Sequence, residues 1–66
     1  MLAYDQYIDD TSLTMMRRVL ESECIRREIN LESSQGEDLA LIVINAFIAG
    51  IDKESELMEL IRTQPL

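Results

Sequence analysis

The chain has 66 residues, room for one small core, and its 47% apolar and 29% charged side chains suit a folded protein rather than a disordered tail. Thirteen acidic against six basic residues leave a net charge of −7, with no His, no Trp and a single Cys. Those counts exclude disulfide scaffolds, zinc fingers and histidine-based catalysis.

Residues 1–8 contain Tyr4, Tyr7 and Ile8 without a clear period and read as a flexible or docking arm. They offer neither a basic leader nor a long apolar stretch, so no signal peptide is expected. Asp9, Asp10, Thr11 and Ser12 supply several N-cap candidates and acidic residues suited to the positive end of a helix dipole. Nothing breaks a helix from there to Ile29, and the first helix is predicted over about 10–29. Leu13, Met16, Leu20 and Cys24 follow at spacings of three, four and four, which gathers them on one face as a core stripe. Met15, Val19, Ile25 and Ile29 fall on the other side of the same helix. That second face needs a cover of its own, either the N-terminal arm or a partner chain.

Asn30 to Gly36 is the one polar, turn-rich stretch. Either Ser33 or Ser34 can cap the helix that follows, although Gly36 inside a first turn is unfavourable. This second helix is predicted over about 36–49, with Gly50 as a left-handed terminator and Ile51 packing back on it. From Leu39 to Ala49 only Asn45 is polar. Ile42, Val43 and Ala46 share a face with Leu39, whereas Leu41, Ile44 and Ile48 form another roughly opposite. A helix apolar on nearly all sides must be surrounded, and two short helices of the same chain cannot cover all of it. The apolar run ends well short of the roughly 20 residues a membrane crossing needs. Asp52 reads as the N-cap of a third helix over about 53–63, with Leu57, Leu60 and Ile61 as its stripe, Met58 beside it and Pro65 beyond its end. The fold class is therefore all-α: one domain over 1–66, three helices, associating as a symmetric helical homodimer.

Chemistry-bearing patterns are sparse. Glu37-Asp38, Asp9-Asp10 and Glu54-Glu56-Glu59 sit at helix starts or on polar faces, where capping and solvation explain them without a catalytic cleft. Di-metal bundle sites need Glu-x-x-His pairs, and calcium loops need alternating oxygen ligands around a Gly; neither pattern is present. No catalytic residue, cofactor or metal ligand is assigned, and no enzyme is expected. Cys24 lies in line with core positions and reads as a small buried hydrophobe; a sensor thiol would want exposure and positive surroundings. Arg17 and Arg27 stand one helical turn from Glu21 and Glu23, as surface pairs worth a few tenths of a kcal/mol each. With its few cations so neutralised the chain is not expected to bind nucleic acid directly. Asn45 can either set helix register at an interface or face water.

The series Leu13, Met16, Leu20, Cys24, then Leu39-Ala40, Val43-Ile44-x-Ala46, Gly50-x-Asp52 and Leu57 resembles short uncharacterised helical proteins of alphaproteobacteria, over residues 13–57. Lys53 stands where that pattern has a Pro, a difference confined to the start of the third helix. The resemblance implies a helical fold and a bacterial source but no activity, cofactor or functional residue. Taken together, the sequence points to a cytoplasmic, acidic protein–protein interaction module acting as a homodimer, with an unidentified protein partner. Leu41, Ile44, Ile48, Met15, Val19 and Ile29 are its interface candidates. The alternative is a regulator, antitoxin-like or anti-sigma-like, that occupies the basic surface of another protein.

Overall fold

Asp9 begins the ordered helix. Its carboxylate accepts a hydrogen bond from the Ser12 amide at 2.9 Å, one of the free donors that every helix start must satisfy. Hydrogen bonding from Ser12, its hydroxyl first and then this amide, holds the Asp9 carboxyl below its ordinary pKa. Helix α1 then runs Asp10–Arg27. It stops two residues before the predicted end because Glu28 turns left-handed, with φ of 59°. The Ile29 amide reaches back to the Cys24 carbonyl and the Glu28 amide to that of Ile25, the paired bonds of a Schellman terminator. A Glu fills the position where Gly is usual, so the sequence carries no marker of the stop.

A computed structural model describes residues 8–65; residues 1–7, most of the proposed arm, and residue 66 lie outside the described residues. The linker after α1 is folded tightly on itself. Asn30 Oδ1 accepts from the Glu32 amide at 2.8 Å, and the Ser33 hydroxyl donates to the Asn30 carbonyl at 2.6 Å. Ser33 Oγ in turn accepts from the Gly36 amide at 3.1 Å, which makes Ser33 the N-cap of α2, Ser34–Ile48. Gly36 thus sits in the first turn, and the reason is steric. A Cβ there would lie 2.2 Å from the Leu31 carbonyl oxygen and 2.7 Å from that of Asn30. The linker can cross the helix start only where a side chain is missing.

Helix α2 ends as the sequence suggests. Gly50 has φ of +117°, its amide bonds the Phe47 carbonyl, and the Ile51 amide bonds that of Ala46. Ile51 folds back half-buried against the core. Helix α3, Glu54–Arg62, departs from expectation at its start: Lys53, not Asp52, holds the N-cap position, and no side chain bonds the helix there.

Each helix packs against both of the others, and no strand occurs among the described residues. The core joins Met16, Val19 and Cys24 of α1 to Leu39, Val43 and Ala46 of α2 and to Leu57 and Ile61 of α3. Ile8, Met15, Leu20, Ile29, Phe47, Ile51 and Leu60 close its edges. The face that α1 turns inward is rotated by about 50° from the expected stripe, at 100° per residue. Leu13, expected in the core, is 54% exposed, while Val19, expected on the outer face, is completely buried. Glu23 lies near the middle of the buried face although it carries a charge.

Candidate functional site

Burying Glu23 requires partners for its carboxylate, since an unpaired charge in a core is prohibitively costly. Arg26 supplies two, Nε at 3.0 Å and Nη2 at 2.6 Å, and Arg27 Nε donates a third. The Arg26 guanidinium, with that of Arg27 beside it, holds the Glu23 carboxyl below the usual carboxylate range against the opposing effect of burial. Arg27 also donates from Nη2 to the Ile61 carbonyl at 3.0 Å and to that of Gln64 at 2.7 Å. These carbonyls lie at and just beyond the C-terminal end of α3, that of Ile61 also accepting from the Gln64 amide, so one guanidinium both neutralises a buried acid and binds the end of a neighbouring helix. The Arg27–Glu23 pair expected at the surface is therefore mostly buried and ties α1 to α3. Arg18 adds a bidentate, exposed bridge between the same helices, with Nε and Nη2 at 2.8 and 3.0 Å from the Glu54 carboxylate. This polar network accounts for the packing of α1 on α3, its acid buried and engaged by two guanidinium groups. Cys24, beside it, is buried with its thiol pKa raised, first by that burial.

The feature left over after packing is apolar. On α2, Leu39, Val43 and Ala46 point into the core, and Leu41, Ile44 and Ile48 form a ridge on roughly the opposite side, exposed by 58, 38 and 64%. Their spacings of three and four keep them in one line along the helix. Glu37 continues that line toward the N-terminus.

Beside the ridge a groove of about 210 Å³ runs between α1 and α2. Leu13 and Leu20 line it from α1, Ala40 and Ile44 from α2, and Leu31 from the linker. Met16 and Val43 reach its floor from the core, Ile8 also lines it, and Arg17 is the one charged residue there. Among the described residues no carboxylate lies within salt-bridge distance of Arg17; the expected pair with Glu21 is not formed. Ile44 belongs to both ridge and groove.

The interface candidates thus separate. Leu41, Ile44 and Ile48 are brought together and uncovered. Met15 is half-buried at the core edge, and Ile29 is half-buried too, because it follows the left-handed Glu28 and folds back instead of extending the helix. Val19 has no exposed surface and is a core residue, unavailable to a second chain. Leu13 and Leu31, which the sequence did not mark as surface positions, take their place. Leu31 sits in a polar linker, and only the crossing at Gly36 brings it beside α2. Comparison with protein-family models, curated proteins and solved structures finds no match to the chain. No helix among the described residues is long and apolar enough to cross a membrane.

Proposed function

We propose that the chain is a protein–protein interaction module that works as a symmetric homodimer through the outer face of α2. One observation carries this reading: Leu41, Ile44 and Ile48 remain uncovered on a helix whose opposite face is already in the core. With Leu13 and Leu31 they amount to about two and a half fully exposed side chains, on the order of 300 Å² of apolar surface in one patch. For a chain this small, association is also one of the few available sources of added stability. The reading assigns it to the cytoplasm, where a lone thiol such as Cys24 stays reduced.

Melting as a function of protein concentration tests it. A dimer whose interface stabilises the fold melts higher at higher concentration, and Ile48→Asp should lower the melt and remove that dependence. In a monomer a 64% exposed residue should tolerate the change within about 0.5 kcal/mol. A concentration-independent melt, unaltered in Ile48→Asp, would refute the homodimer.

A second reading has support in the ion pairs. Arg18, Arg26, Arg27 and Arg62 all engage carboxylates of the chain itself, while Glu21, Glu28, Glu32, Glu37, Asp38, Asp52 and Glu56 form no salt bridge among the described residues. The outward field is strongly negative, which suits a regulator seated on a basic partner. Immobilised chain should then retain such a protein from the native cell at low salt and release it as screening rises. Retention unaffected by salt would count against this reading.

A further inference from the structure

We infer that the groove between α1 and α2 is filled by the α2 ridge of a second copy of this chain, the two helices running antiparallel. This inference rests on the homodimer proposed above and names how its surfaces fit. Ridge and groove are neighbours that share Ile44. A two-fold axis passing near Ile44 therefore seats each ridge in the other copy's groove in a single operation, which is the self-complementarity that a closed dimer requires. The result is a pair of three-helix units in which each gains the fourth helix its groove lacks, a helix-in-groove contact read by anchors three and four residues apart.

Charge supports a copy of the same chain as the occupant. A protein of net charge −7 repels its own copies, yet the groove and the ridge from Leu41 to Ile48 contain no carboxylate, and the groove's single charge is the cation Arg17. Two copies can thus meet here without bringing acids together. The same consideration sets the direction. Parallel ridges would place Glu37 and Asp38 of the two chains side by side, whereas antiparallel ridges separate them by about the length of the helix, roughly 20 Å at 1.5 Å per residue. Antiparallel ridges also oppose the two helix dipoles favourably. The apolar patch, on the order of 300 Å² per copy, is of a size to form the dry centre of a standard interface of about 800 Å² per partner.

Direction and register give a positional test. The groove runs from Leu31 at the linker end toward Leu13, in the direction that α2 runs from Ala40 to Ile44. In the antiparallel fit, Ile48 of one copy comes to the Leu31 end of the other. Equal amounts of two single variants, Leu31→Cys and Ile48→Cys, are mixed, equilibrated and oxidised; buried Cys24 stays out of the reaction. A disulfide-linked pair containing one of each chain, absent when either variant is oxidised alone, is expected. In parallel, Leu13→Asp, a substitution on the groove wall outside α2, should weaken the dimer at least tenfold in sedimentation, with helical circular dichroism retained. Ready linkage of Ile48→Cys to itself would mean parallel ridges and overturn the inference. So would a dimer that Ile48→Asp splits and Leu13→Asp leaves intact, although the homodimer itself would then stand. A wild-type chain that stays monomeric would overturn both, leaving the groove to residues 1–7 or to a different protein.

Discussion

Replacing Gly36 by Ala opposes two physical effects and asks which is larger. Gly36 lies in the first turn of α2, and on helix propensity alone Ala should be better by about 1 kcal/mol. Geometry says the reverse. The added Cβ would lie 2.2 Å from the Leu31 carbonyl oxygen and 2.7 Å from both the Leu31 carbonyl carbon and the Asn30 oxygen. Those are backbone atoms, so no side chain can rotate away. The linker that carries them is pinned by the Ser33 hydroxyl, which joins the Asn30 carbonyl to the Gly36 amide at 2.6 and 3.1 Å. Moving the linker enough to admit a methyl group therefore breaks the cap, worth about 1 kcal/mol, on top of about 1–3 kcal/mol for overpacking. Net destabilisation of about 2 kcal/mol is expected, a fall of roughly 8–16 °C in the melt of a domain this size. Thermal unfolding followed by circular dichroism, at one protein concentration throughout, reads it. Gly50→Ala is the control. Nothing lies within 4 Å of its Cβ position, but φ of +117° strains any other residue, so a loss of about 1–2 kcal/mol is expected from backbone conformation alone. A Gly36→Ala melt equal to or above wild type would refute the steric reading of the linker.

Three further outcomes follow from the helix ends and the buried network. Glu28→Gly should raise stability by about 0.5–1 kcal/mol, because Glu28 holds a left-handed φ of 59° that Gly adopts freely; an unchanged or lower melt would contradict that conformation. Glu23 has a lowered folded-state pKa, so its stabilisation is complete above the ordinary carboxylate range and is lost as pH falls through the lowered value. Glu23→Gln should accordingly lower the neutral-pH stability by about 1–3 kcal/mol, through the loss of charged partners for Arg26 and Arg27, and flatten the acid limb of stability against pH. An acid limb as steep as wild type would assign it elsewhere. Cys24, 3% exposed and with its thiol pKa raised, should react slowly with a thiol reagent in the native protein and quickly once unfolded; equal rates would place it at the surface.

The three helices were legible because caps and apolar periods agree. Asp9, Ser33 and the Gly50-Ile51 pair each mark an end that the structure has. Where a boundary was missed, the residue responsible lacks the usual chemistry. Glu28 ends α1 without being Gly, and Lys53 starts α3 without a capping side chain. The orientation of α1 was misread for one reason: a pattern of apolar residues cannot count Glu23 as buried. Its burial depends on Arg26 and Arg27, and Arg27 is held in turn by the Ile61 and Gln64 carbonyls, 34 and 37 residues further along the chain. The ridge was visible in sequence because α2 is apolar all round. The groove was not, since it needs Leu31 carried over Gly36 and Leu13 turned out of the core, both consequences of tertiary packing.

Sedimentation equilibrium of the wild-type chain at micromolar to high-micromolar concentrations tests the homodimer most directly. The expected result is a mass of twice the 7.6 kDa chain that declines toward the monomer on dilution, and a shift of that equilibrium to the monomer in Ile44→Asp. A well-folded species of 7.6 kDa across the whole range would contradict it.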